Sequence, residues 1–463
     1  MRRSLQKLLK LCRGGKKTME KKIRLSDHFT YARLVRFVLP SIVMMIFTSI
    51  YGVVDGLFVS NFVGKTPFAA LNLVMPVIMI LGAVGFMIGT GGSALIAKVY
   101  GEGEEEKAKS YFTLMVIFTV LLGIVFTFVG MAVLRPLCIL LKATDDMIDS
   151  CVLYGRIVIG FITFFMLQNV FQSFFITAGK PQIGLFVTLA AGFTNIALDA
   201  LFVAGFKWGL AGAAVATGIG QCIGGIVPLI YFAGPNRSSL RFTKPIWRIK
   251  PLLQACANGS SELMSNISSS LVSMLYNYQL MRFIGEDGVS AYGVLMYVQL
   301  IFLAIGIGYS IGMSPIVSYH LGAKNDREVK NIYRKSLILI GGTGIVLTVL
   351  AQLLAIPLAK GFVGYDDDLC ALTVHAFRLF SFMFLLAGLN IFASAFFTAL
   401  NNGAVSAIIS FMRTLVFQTA SVWILPMILG TDGIWWAISI AEALAFVVSL
   451  IFLIANRKKY RYA

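Results

Sequence analysis

Between Gln182 and Gly205 the chain is one apolar stretch, long enough to cross a bilayer, in which Asp199 is the only charge. Holding a lone carboxylate in lipid is expensive, so its presence points to function and to a partner. Asn195 stands four residues earlier, on the same helix face. Asp55 and Thr217 lie in two other apolar stretches. At ~1.5 Å rise per residue, Asp55, Asp199 and Thr217 fall ~10, ~8 and ~7 Å beyond the midpoints of their stretches. Two carboxylates brought close in a low dielectric cannot both stay ionised unless a cation sits between them. Amide and hydroxyl oxygens beside them suit a small hard cation. The four residues therefore read as a site for H+ or Na+, with no cofactor required.

The elements that must position them are membrane helices. Of the 463 residues, 58% are hydrophobic and 13% charged, against about 25% charged in soluble domains. Twelve hydrophobic stretches follow one another, at about 36–61, 68–97, 110–134, 150–178, 182–205, 210–233, 252–283, 288–318, 331–355, 372–399, 404–428 and 433–455. Each reaches or approaches the ~20 residues that cross a bilayer. Backbone groups in lipid must pair internally, so all are expected to be helices. Several run near thirty residues, so tilt or extension beyond the lipid is expected.

The net charge of +18 would suggest nucleic acid in a soluble chain. Here the basic residues gather in loops and tails, thirty on the side of both termini and six on the other, so no nucleic-acid partner is expected. Positively charged loops stay inside, which puts both termini in the cytoplasm. The expected organisation is a basic cytoplasmic tail over 1–35, a six-helix bundle over 36–233, a cytoplasmic linker over 234–251, a second bundle over 252–455, and a basic tail over 456–463.

The bundles are copies of one another. A shift of 221 residues aligns Gly101 with Gly322, Asn169 with Asn390, Gly209 with Gly430, and Phe175, Thr177 and Ala178 with Phe396, Thr398 and Ala399. Six helices per copy is an even number, so the copies should be related by an axis along the membrane normal, with the substrate path between or inside them. The polar set is not copied: Asp55, Asn195, Asp199 and Thr217 meet Tyr276, Val416, Ala420 and Ile438. Ion coupling is therefore expected in the first half.

Helix 4 surrounds Gln168, Asn169 and Gln172 with Phe161, Phe164, Phe165, Phe171, Phe174 and Phe175. Such faces can hold organic cations, although packing is the commoner use of aromatics in membrane helices. Glu262 on helix 7 either serves the cavity or pairs with Arg378 or Arg413; Glu442 reads as structural. Gln168, Asn169, Phe165, Glu262 and Tyr276 are the candidates for a substrate cavity. The run Asp366–Asp368 would suit a metal-dependent transferase only with a second acidic motif, which is missing. Six scattered cysteines and three histidines form no metal spacing, and Gly89–Gly92 lacks the Lys-Ser/Thr of a nucleotide loop.

With these residues the chain resembles the multidrug and toxic compound extrusion (MATE) transporters over nearly its whole length. The resemblance rests on the two six-helix halves, on Pro40 fifteen residues before Asp55, and on Asn195, Asp199 and Thr217 at matching spacing. SALIAKVYGEGEEEKA after helix 2 and SPIVSYHLGAKNDREV after helix 8 complete it. It is closest to the bacterial branch with a helix-1 aspartate. It implies a V-shaped, all-α antiporter of the bacterial inner membrane, acting as a monomer, that exports organic cations or drugs as H+ or Na+ enters. The family's first-half ion site maps onto Asp55, Asn195, Asp199 and Thr217, with Asn169 a further polar position. Other branches place acids in helices 7 and 10; here helix 7 offers Glu262 and helix 10 none. A flippase for a lipid-linked precursor is the alternative, and a membrane-embedded transferase the reading from a different class.

Overall fold

The computed structural model describes residues 23–63, 65–140, 145–236, 238–364 and 366–463. Residues 1–22, most of the expected N-terminal tail, lie outside them. Among the described residues twelve spanning elements follow in order and no strand occurs. The first half holds α1 (Tyr31–Phe62), α2 (Lys65–Gly101), α3 (Glu105–Leu140), α4 (Asp145–Gly160 and Ile162–Thr177), α5 (Pro181–Asp199, continued by Ala200–Gly205) and α6 (Gly209–Ala233). The second holds α7 (Ile249–Phe283), α8 (Glu286–Gly322), α9 (Asp326–Val363), α10 (Asp367–Phe380 through Phe384–Ala399), α11 (Gly403–Phe411 through Gln418–Leu429) and α12 (Thr431–Tyr460).

Ten of these are long and apolar enough to span on their own, and the two parts of α4 form a span bent by 52°. The remaining one, α7, is 35 residues long but carries a polar stripe that lowers its hydropathy. Four helices, α1, α9, α10 and α11, begin ahead of the apolar stretches at starts held by polar caps. Asn325 accepts from the Glu328 amide ahead of α9, and Asn402 from the Val405 amide ahead of α11. Asp366 accepts from the Asp368 and Leu369 amides, at 3.0 Å each. The acidic run is thus the cap and first turn of α10, where negative charge meets the positive end of the helix dipole.

The duplication is visible in the backbone. Gly209 and Gly430 both turn with positive φ, 59° and 62°. The break in α4 at Phe161 matches, under the 221-residue shift, the tight turn of α10 over Ser381–Met383. The π-helical turns do not match: one follows Asp199 in α5, the other contains Arg413 in α11. Such turns rotate the residues beyond them and are frequent at functional sites.

The halves meet on the side where residues 23 and 463 lie. Here α2 crosses α7, and α8 crosses α1, by an equivalent contact. A Cβ on Gly259 would overlap the Met87 carbonyl, and one on Gly91 the Ala255 carbonyl. In the twin contact a Cβ on Gly312 would press on Val38, and one on Gly308 on Ile42. Nearer the surface Gly101 abuts the Tyr319 carbonyl, and its repeat partner Gly322 abuts that of Lys98. Small residues let backbones touch where lipid supplies no hydrophobic drive. Together these contacts seal the terminus side.

Two segments read as tail and linker are folded onto the bundles. Glu328 of α9 holds His28 Nδ1 at 2.7 Å and accepts from the Phe29 amide at 2.9 Å. Asn331 and Lys335 donate to the Phe29 carbonyl, and the Phe29 ring is fully buried. This strap, which leads directly into α1, is therefore fastened to the second half. The linker lies back on α3: the Thr243 amide donates to Thr113 Oγ1 and the Ile246 amide to Ser110 Oγ, while Phe242 stacks on Phe112.

Candidate functional site

In the first half, α1, α5 and α6 bring Asp55, Asn195, Asp199 and Thr217 together on the side away from the termini. Thr217 Oγ1 donates to Asp55 Oδ1 and in turn accepts from Asn195 Nδ2, each at the long distance of 3.5 Å. Asp199 is fully buried, and neither of its oxygens meets a donor; Asn195 Oδ1 is equally unpartnered. What the Asp199 carboxyl faces is the carboxyl of Asp55. Two acceptors opposite each other repel unless a proton or cation lies between them. Buried oxygens left without donors are costly in any protein, and here they gather at one point. The donor set fits H+ or Na+: two carboxylates, an amide oxygen and a hydroxyl, all hard oxygen ligands.

Two tyrosines border this pair. Tyr154 of α4 is fully buried within reach of both aspartates' fields, and its hydroxyl has no partner. Tyr51, one turn before Asp55 on α1, faces both Asp55 and Gln168. Sequence reasoning passed over both because tyrosine is common in membrane helices; the one signal was the four-residue spacing of Tyr51 from Asp55.

The remaining sequence candidates separate. Gln168 meets Tyr51, which in turn borders the pair. Asn169 is turned away, donating at 3.3 Å to the Gly82 carbonyl, so it ties α4 to α2. Phe165 fills the notch that Gly82 leaves in α2. Tyr276 is fully buried, stacked on Tyr292 at 4.4 Å, with its hydroxyl donated to the Ile434 carbonyl, so it lies behind the wall of the second-half cavity. Farther along α4 the aromatics pack with Phe112 and Phe232 at centroid distances of about 5 to 6 Å. They form core rather than an aromatic box for a ligand.

Glu262 is placed on a cavity of about 250 Å³ inside the second half, walled mainly by α7, α8, α10 and α11. The α7 wall is a stripe at helical spacing: Glu262, Ser265, Ser269 and Ser273. Thr90 of α2 reaches the floor, one residue from the Gly91 contact that seals the terminus side. Arg413 also lines the cavity, but its Nε donates to Glu442 Oε1 at 2.8 Å and Oε2 at 3.0 Å. Asn390 adds a 2.7 Å bond to the same carboxylate. Glu442 is thus the partner of Arg413, and Glu262 faces a guanidinium already neutralised. Arg378 lies at the surface of α10.

Comparison with known proteins bears on this arrangement. The MatE family model matches residues 40–201 and again 263–424, at nearly the spacing of the internal repeat. The chain belongs to the MatE family. It is a multi-pass membrane transporter of that family, with one matched segment in each half. The chain is 20% identical over 435 residues to the multidrug export protein MepA of Staphylococcus aureus strain MSSA476, covering 93% of this chain and 94% of that one. Two solved MATE structures share the fold, each at 20% identity and a TM-score of 0.89. One, in complex with MaL6, covers 95% of this chain and 98% of its own. The other, described as the outward-facing conformation of a multidrug resistance transporter, covers 96% and 100%.

Proposed function

We propose that this MatE transporter is an antiporter that exports organic cations or drugs from the cytoplasm in exchange for H+ or Na+. The observation that carries it is the buried pair Asp55 and Asp199, whose facing acceptors require a shared proton or cation. Asn195 and Thr217 complete the oxygen set around that ion. The lysine and arginine bias supports cytoplasmic termini in a bacterial inner membrane. The glycine seal on the terminus side then closes the cytoplasmic face, so this conformation is outward-facing. Both sites are built within one chain, which supports a working monomer.

The export step follows from charge. When the ion binds from outside, the aspartate pair is neutralised and α1 can repack against α5 and α6. A cation held by the negative field then loses its counter-charge and leaves. The coupling is reciprocal, so ion and substrate weaken each other's binding by the same factor. The lipid-precursor flippase reading lacks support, because Arg413, the one cation lining the cavity among the described residues, is held by Glu442. Dye efflux in inverted vesicles under an imposed H+ gradient, and separately a Na+ gradient, is the test. One gradient should drive efflux, and dye affinity should fall as pH drops or Na+ rises. Efflux indifferent to both gradients overturns the reading.

A further inference from the structure

We propose that the cavity in the second half is the seat of the exported cation, and that it selects compact cations bearing N–H donors, protonated amines or guanidinium groups, over quaternary cations. The claim that the bound species is exported rests on the antiport reading above; the selectivity rests on the cavity alone.

Three features set that selectivity. The first is charge: with Arg413 bound to Glu442, the carboxyl of Glu262 is the uncompensated group on the wall. The second is hydrogen bonding. Gln299 Oε1, Ser310 Oγ and Ser314 Oγ line the cavity from α8, buried and without partners. Ser310 and Ser314 are 2% and 8% exposed. A carboxylate and an amide oxygen only accept, so a ligand that satisfies them must donate. A quaternary ammonium has no donor and would leave these oxygens bare, which a buried site tolerates poorly.

The third feature is the aromatic content. Quaternary cations are held by aromatic faces, yet among the described residues Tyr292 is the sole aromatic on the wall, and its ring is stacked on Tyr276. Size points the same way. A cavity of about 250 Å³ falls below the roughly 300–1,000 Å³ usual for drug-sized ligands.

The test is equilibrium binding to the purified full-length protein in detergent, without any ion gradient, using butylguanidinium and butyltrimethylammonium as matched probes. Butylguanidinium should bind about tenfold or more tighter, the worth of hydrogen bonds to a charged group. Glu262→Gln should abolish that preference, and Ser310→Ala with Ser314→Ala should reduce it several-fold. A second measurement does not depend on removing the charge. A cysteine placed by Ser269→Cys should be protected from maleimide by butylguanidinium and not by its quaternary partner, read by mass spectrometry at that residue. Equal affinities, no binding, a preference unchanged in Glu262→Gln, or alkylation at residue 269 indifferent to both probes would each overturn the proposal. Failure of gradient-driven efflux would remove the antiport reading and leave this binding result standing.

Discussion

The two halves share a scaffold and divide the chemistry. The first half buries two carboxylates facing each other, with three oxygen atoms of Asp199 and Asn195 left without donors. The second buries a carboxylate already matched to a guanidinium, Glu442 with Arg413, and opens a polar cavity beside it. At the positions equivalent to the α7 stripe, α1 carries Ser41, Met44, Thr48 and Gly52 in place of Glu262, Ser265, Ser269 and Ser273. Duplication kept the helix crossings, which packing dictates, and let the polar side chains diverge. On the proposed reading, a site that responds to an ion and a site that accommodates a cargo can then be tuned separately.

The largest expected effect falls on the first half. Asp199→Asn removes one of the two facing carboxylates and should reduce gradient-driven dye efflux to the level of vesicles lacking the protein, with normal expression. Substantial residual coupling would mean that the halves do not divide the labour this way.

Next comes the neutral pair of the second half, where stability rather than coupling should suffer. Glu442→Leu leaves Arg413 unpaired and should destabilise the protein by about 3–5 kcal/mol, whereas adding Arg413→Leu should recover most of the loss. Thermal unfolding in detergent reads both. Equal stability of single and double variants would show that the pair is not what holds α11 to α12.

A smaller effect is expected at the shared seal. Gly259→Val forces a side chain against the Met87 carbonyl and should cost the sealed state about 1–3 kcal/mol, the usual penalty of overpacking. Thiol labelling of a cysteine on the floor of the cavity from the terminus side should rise accordingly. In the twin crossing Gly312→Val, at the repeat partner of Gly91, should act in the same direction but less, since it meets the Cβ and Cα of Val38 rather than a carbonyl. The smallest change is expected for His28→Ala, whose ring is largely exposed; it should shift unfolding by less than about 1 kcal/mol.

The aspartate set was legible in the sequence because a charge in an apolar run stands out and depth follows from counting residues. The twelve helices were legible for a related reason, as was the repeat. The α7 stripe escaped notice because serine is individually cheap in a membrane helix and only a common wall gives it meaning. The ion pair of Arg413 was visible only as one of two partners for Glu262, since Glu442 lies on another helix, far from Arg413 along the chain. Asn169, Phe165 and Tyr276 looked like cavity residues by type, yet each is occupied by a neighbour: the Gly82 carbonyl, the Gly82 notch, and Tyr292 with the Ile434 carbonyl.

The strap at His28 and Phe29 changes what can count as a moving part. It fastens the entry of α1 to α9, while the far portion of the same helix carries Asp55 among the helices of the first half. One helix is thus bolted at its foot to one rocker and at its head to the other. If the rockers tilt as intact blocks, either the bolt at Glu328 shears or the rod between them flexes. Pro40 sits between foot and head, where a missing N–H removes one rung of the hydrogen-bond ladder and softens the rod. Motion at the aspartate pair and motion at the seal on the terminus side are then two ends of one lever, with its fulcrum in α1.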